Sequence, residues 1–257
     1  MIRYRYIRHL KNDMNANLDI FNPYVRRARL QPAMLVALPF GLATLAFWPN
    51  GIAGWGTVWS LFVFCGGTAL MAQMARDMGK IKEPGLFASW GGKPTTQLLR
   101  HRSTENKVLL FRRHERLKKL IPELYLPSPD EELADVAAAD MAYDTCTAFL
   151  IEKTRKKDTF PLVFEENCNY GFRRNLWGMK PLGLATSLIG TGAVTAIVLL
   201  EMRSGKALSP TTIACGVINL VMLLSWIVWF TPSWVRIAGF AYADRLLAAC
   251  ETLKSGR

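Results

Sequence analysis

The sequence predicts an all-α membrane protein in which two transmembrane helical hairpins flank a small helical cytoplasmic domain. Three observations carry that reading. The apolar residues, 51% of the chain, gather into four nearly uncharged blocks. Those blocks pair into hairpins spanning 32–75 and 181–231. The net charge of +12 is concentrated outside them. Each block approaches the ~20 residues a helix needs to cross ~30 Å of hydrocarbon, and only segments that satisfy their own backbone do so singly.

The first hairpin breaks at Pro49-Asn50-Gly51 and the second between Glu201 and Pro210. Pro32 suits the first turn of the opening span, and Pro39 inside it predicts a kink. Gly183, Ser187 and Thr191 recur at four-residue spacing in the third span, and Asn219 lies within the fourth. Small residues at that interval allow close helix approach, and an amide at that depth faces another helix or a wet cavity. We read all four as packing positions within the chain. The interiors of the spans carry no Asp, Glu, Lys or Arg, which argues against ion-coupled transport.

Orientation follows from charge. Segment 1–31 is a basic arm with Arg3, Arg5, Arg8, Lys11, Arg26, Arg27 and Arg29 against Asp13 and Asp19. The middle (76–180) and the tail (232–257) are also basic, whereas the first hairpin turn is uncharged. The positive-inside rule then places both termini and the middle in the cytoplasm. The arm is amphipathic, so a place on the membrane surface is favoured over nucleic-acid binding. Trp48, Trp55 and Trp59 mark one interface, and Trp177, Trp226, Trp229 and Trp234 the other. The uninterrupted passage into a second apolar block argues against a cleaved signal. The five cysteines form no C-x-x-C pair and read as buried or reduced thiols.

The middle domain reads as helical. An amphipathic helix is expected over 104–120 with a strongly basic side. Ser128-Pro129-Asp130-Glu131 is a capping box with Pro at N1 and should start a helix running to about Thr154. Pro161 should begin another that leads into the third span. The tail is expected as a separate amphipathic segment.

Two stretches are candidate ligand sites. Gly91, Gly92, Lys93 and Thr95 form a Gly-rich turn before a helix, where free amides and a lysine suit a phosphate. It is not a Walker A loop, since Phe87 and Pro94 replace the required Gly and Ser/Thr. The simpler alternative is a turn that ends one helix and starts the next. On a helix, Glu165, Asn169 and Arg173 share one row, and Glu166, Tyr170 and Arg174 another. Such rows form internal ion pairs or line a site for an anionic or nucleotide-like ligand or a neighbouring subunit. His9, His101 and His114 are too scattered for a metal site. The sequence predicts no cofactor, no metal and no catalytic residue, and no hydrolase or nucleotide fingerprint appears.

The stretches from Trp90 to His101 and from Phe160 to Asn175 resemble segments of bacterial inner-membrane proteins without a characterised activity. The four-span plan resembles small membrane effectors of bacterial anti-phage defence. That resemblance implies a homo-oligomer whose cytoplasmic domain senses a signal and whose spans disturb the lipid bilayer. Two other classes stay open: a scaffold subunit that docks a soluble cytoplasmic partner protein, and a membrane-bound enzyme.

Overall fold

The computed structural model describes residues 22–48 and 66–253. Every regular element among them is helical, and none is a strand. In chain order they are α1 (Val25–Phe47), α2 (Gly67–Trp90), α3 (Pro94–Gln97), α4 (Lys107–Leu120), α5 (Pro129–Ala134), α6 (Val136–Lys153), α7 (Pro161–Gly178), α8 (Lys180–Arg203), α9 (Pro210–Val228) and α10 (Pro232–Ala248). Three of them, α1, α8 and α9, are long and apolar enough to cross a membrane. The core of the expected second span, with Trp55 and Trp59, lies outside the described residues. The helix after it, α2, carries Arg76, Asp77, Lys80, Lys82 and Glu83 and is not a fourth apolar span.

The chain divides into two compact units, Met1–Lys82 with Gly171–Trp234 and Glu83–Tyr170 with Val235–Arg257. In the first, α1, α8 and α9 pack on one another. The helix α1 starts before Pro32: residues Val25–Leu30 form a π-helical turn that runs directly into Gln31–Phe47, so part of the expected basic arm belongs to the span. The helix continues through Pro39. The turn from α8 to α9 falls where expected. Gly205 takes φ +66°, and the Ser209 hydroxyl accepts from the Thr212 amide at 3.0 Å ahead of Pro210.

The antiparallel pair α8/α9 is held close by small residues. A Cβ on Gly183 would lie within 2.6 Å of Cδ2 of the Trp226 indole. A Cβ on Gly190 would lie 2.7 Å from Asn219 Oδ1 and 2.9 Å from the Pro39 carbonyl of α1. Further along, Ala46, Val194 and Cys215 bury together. The opposite faces expose Leu188, Ile189, Leu199, Val217, Val221 and Val228. Three helices that pack through glycine and show leucine and valine outward suit a lipid surround, since lipid leaves close packing to hold the helices together. Trp226, expected at the interface, is fully buried against Gly183, whereas Trp229 is well exposed.

The same unit contains a second close approach. A Cβ on Gly178 of α7 would meet the Gly79 backbone nitrogen of α2 at 2.5 Å. Beside that crossing sits Asn175, fully buried, which donates to the Ala28 carbonyl at 2.7 Å and accepts from Arg174 Nη2 at 2.9 Å.

The second unit is built on Leu99, Leu117, Tyr143, Cys146, Leu150, Val163, Leu246 and Leu247. Its elements start as the sequence dictates, with one correction. The capping box is complete: Glu131 N–H donates to Ser128 Oγ and Ser128 N–H to Glu131 Oε2. The helix it starts ends at Ala134, not near Thr154. Asp135 leaves the helical region (φ −140°, ψ 89°), and its carboxylate accepts from the Ala138 amide, starting α6 afresh. A second N-cap seven residues after the first thus divides one expected helix into two. The predicted basic helix is α4, begun by Asn106 rather than Thr104.

The tail is not a separate segment. Leu246, Leu247 and Cys250 are fully buried in the second unit. Charged contacts fix them to the basic side of α4. Arg113 reaches Asp244 at 2.6 Å, Arg112 reaches Glu251 at 2.8 Å, and Arg116 donates to the carbonyls of Cys250 and Leu253. Much of the basic side expected on this helix is therefore taken by α10 and the residues after it.

Candidate functional site

The Gly91-Gly92-Lys93 turn links α2 to α3. Gly91 (φ +85°) and Gly92 (φ +129°) occupy left-handed backbone that a side chain strongly disfavours, and a Cβ on Gly92 would press on the Arg100 guanidinium. The turn is held by side chains from α3 and the loop after it. Gln97 donates to the carbonyls of Trp90 (3.0 Å) and Gly92 (2.7 Å), and Arg100 donates to Gly91 (2.7 Å). Lys93 forms an ion pair with Asp144, which also accepts from Thr96. Arg100 makes a two-pronged contact to Asp140 at 2.8 and 2.5 Å. Thr95 is buried. The two carboxylates lie one turn apart on α6, so the turn's two cations each meet an aspartate. Its geometry is that of a cross-link between α2, α3 and α6.

The residues on α7 diverge. Arg173 lies over the Trp234 ring at 4.8 Å and donates to the Trp234 carbonyl at 2.9 Å. Arg174 is buried and donates to Asn175. Tyr170 donates to Glu83 at 2.8 Å. Asn169 is exposed and reaches back to Glu166 at 3.5 Å, while Glu165 is half-buried. The helical rows are real as geometry, but Tyr170 and Arg173 bond to other elements, and Asn169 and Arg174 to α7 residues outside their own rows. The packing residues fall in the span bundle: Gly183 against Trp226, Ser187 and Asn219 fully buried, Thr191 beside Gly190. Asn219 Nδ2 donates to the Cys215 carbonyl at 3.0 Å. The Ser187 and Thr191 hydroxyls and Asn219 Oδ1 have no hydrogen-bond partner among the described residues.

The second unit also contains a feature that sequence spacing does not reveal. His101, in the loop after α3, and His114, inside α4, stand with ring centroids 5.0 Å apart, edge to face. They border a cavity of about 600 Å³ with Lys107, Phe111, Lys118 and Ser128 on its wall. The fold commits one nitrogen of each ring. His101 Nε2 donates to the Pro127 carbonyl at 3.1 Å and His114 Nε2 to the Leu99 carbonyl at 2.9 Å, leaving each Nδ1 as an acceptor when the ring is neutral. Burial holds His114 below its usual pKa, with the nearby His101 and Lys118 acting in the same direction.

Glu132 underlies this wall. It is almost fully buried and accepts from the Tyr143 hydroxyl (2.7 Å), the His101 amide (2.7 Å) and the Arg102 amide (3.2 Å). Burial alone would raise its pKa, but these donors outweigh burial and lower it. Glu132 thereby fixes the backbone that presents His101. No local pattern marks the histidine pair, because the two rings are brought together by the packing of a loop against α4.

Among the described residues, no group of His, Cys, Asp and Glu is arranged to hold a metal. The cysteines Cys146, Cys168, Cys215 and Cys250 are buried and form no disulfide among the described residues. Comparison of this chain with family models, with curated proteins and with solved structures returned no match.

Proposed function

We propose that this protein is a sensor or effector of the bacterial inner membrane. Its second unit binds a cytoplasmic signal and its apolar helices act on the bilayer, as a homo-oligomer with both termini in the cytoplasm and a fourth span ahead of α2. The observation that carries the reading is the cavity beside His101 and His114 in a chain that also holds three apolar spans. Its walls offer the rings of His101, Phe111 and His114 and two lysines, Lys107 donating to the His101 carbonyl and Lys118 paired with Glu115, a set that suits a nucleotide-like ligand whose flat base meets the rings and whose phosphate draws the lysines from those partners. The Gly91–Lys93 turn and the Arg173–Arg174 end of α7 then serve as structural supports, because Gln97, Arg100 and Asp144 tie the turn together and Trp234 and Asn175 hold the two arginines. Action on the membrane in anti-phage defence is the process this arrangement suits.

Membrane potential in cells expressing the protein tests the effector role. Depolarisation or growth arrest on activation supports it, and an unchanged potential under every activating condition overturns it. Thermal shifts of the purified protein with nucleoside mono-, di- and triphosphates test the cavity, with Lys118→Ala expected to remove any shift.

A second reading is a scaffold that docks a soluble, acidic partner protein. It is favoured by one observation, that Val108 and Phe111 are 80% and 68% exposed on α4. A scaffold is harmless when expressed alone and co-purifies with one stoichiometric protein.

A further inference from the structure

The first unit places two lysines on one indole. Lys82 Nζ, near the middle of α2, lies 5.4 Å from the Trp177 ring centroid, and Lys180 Nζ, the first residue of α8, lies 5.3 Å from it. The two ammonium groups are thus no further apart than the sum of those distances. Lys180 also donates to the carbonyls of Phe230 (2.9 Å) and Ile227 (3.4 Å), so its charge sits at the C-terminal end of the α9 span. Lys82 and Lys180 form no ion pair among the described residues. All three side chains are half-buried. Burial, followed by the charge of Lys180, pulls the Lys82 pKa below its usual value.

Such a pair has a cost. Two like charges share a partly desolvated site, and an aromatic face offsets only part of that cost for each cation. An anion between them removes both penalties. The location narrows the anion's identity. Lys180 opens one apolar span and touches the carbonyls that end another, so the cluster lies where apolar helix gives way to polar chain. That level is occupied by lipid headgroups, and Trp and Lys are the residues that anchor there.

We propose that Lys82, Trp177 and Lys180 form a binding site for the phosphate of an anionic phospholipid. The lysines supply the charge, and the indole holds both of them in place. Lys180 has a second duty at the end of α9, so Lys82 is the cleaner position to change.

The test uses the full chain, purified in detergent and examined by native mass spectrometry and thermal unfolding with added phosphatidylglycerol or phosphatidylcholine. The wild type should retain phosphatidylglycerol preferentially and gain several degrees in Tm from it. Lys82→Gln should lower lipid occupancy about tenfold, which is the loss of one charge contact of ~1.4 kcal/mol, and Lys82→Arg should keep most of it. The exposed variant Arg155→Gln, with the same loss of charge elsewhere, should bind as wild type. Lys82→Gln must unfold in phosphatidylcholine as the wild type does, which separates lost binding from lost fold. Equal retention of phosphatidylglycerol by wild type and Lys82→Gln overturns the site. Equal weakening by Arg155→Gln also overturns it, as bulk charge would then explain the effect. Stabilisation by inorganic phosphate as large as that by phosphatidylglycerol assigns the site to a free anion and overturns the lipid assignment.

Discussion

Gly183 leaves the space that the Trp226 indole fills: a Cβ there would lie within 2.6 Å of indole Cδ2, and Trp226 is fully buried. The pair fixes how closely α8 and α9 approach. Gly183→Ala should therefore push the two spans apart or force the indole off its rotamer, at a cost of ~1–3 kcal/mol, and Gly183→Leu should cost more. Thermal unfolding in detergent measures this. The double variant Gly183→Ala/Trp226→Phe should recover part of the loss, because a smaller ring readmits the methyl group.

Glu132 holds the His101 loop through one hydroxyl and two amides. Glu132→Ala leaves the buried Tyr143 hydroxyl and those amides without an acceptor, and should cost ~3 kcal/mol or more. Glu132→Gln should cost less, since it keeps an acceptor oxygen. Denaturant melts of the two variants check the order.

Acid should destabilise the protein, and the signs agree for two groups. His114 has a lowered pKa when folded, so its contribution is fully present above its unfolded pKa of ~6.5 and is lost as pH falls through the folded value. Glu132 also has a lowered folded pKa, so its contribution is present above the unfolded value near ~4.3 and is lost as pH falls through the folded one. Stability should decline first below about pH 6.5 and again below about pH 4.5. His114→Gln keeps a donor for the Leu99 carbonyl and does not titrate. It should flatten the upper decline and leave the lower one, as read from Tm against pH.

The thiols should be inert while the protein is folded. Burial pushes Cys146 up to about 12 and Cys250 up to about 11, and both are fully buried. Maleimide labelling of these two residues at pH 7 should proceed only as fast as the protein opens, and should become rapid in denaturant. Labelling in the folded state at the rate of a free thiol would contradict the packing.

Arg100 links the Gly91 carbonyl to Asp140, and Lys93 links the same turn to Asp144. Arg100 is buried, whereas Lys93 is half exposed. Arg100→Ala should cost ~3 kcal/mol by stranding the partly buried Asp140 charge and an unpaired carbonyl, and Lys93→Ala less than ~1 kcal/mol. Equal losses from the two variants would show that Lys93 has a role beyond its ion pair.

The features read correctly from the sequence are those set by near neighbours. The helix starts at Ser128 and Pro210, the break at Glu201–Pro210 and the apolar runs of α1, α8 and α9 depend on residues within a few positions of one another. The expected helix to Thr154 failed at Asp135 for the same kind of reason, since a strong local cap interrupted a long apolar pattern. Side-chain partners were legible only in part. Arg173 could be placed on a face of α7, but not against Trp234, which lies 61 positions away.

The sequence by itself determined an all-helical chain with apolar spans, a basic excess and specified helix ends, because hydrophobic period, capping and proline act over one or two turns. The tertiary structure alone decided the rest. It set the α10 tail into the second unit, gave the basic face of α4 to Asp244 and Glu251, and brought His101 beside His114. It also turned Gly183 from one member of a small-residue row into the seat of the Trp226 indole. Such pairings depend on which distant surfaces bury together, and no periodicity encodes that choice.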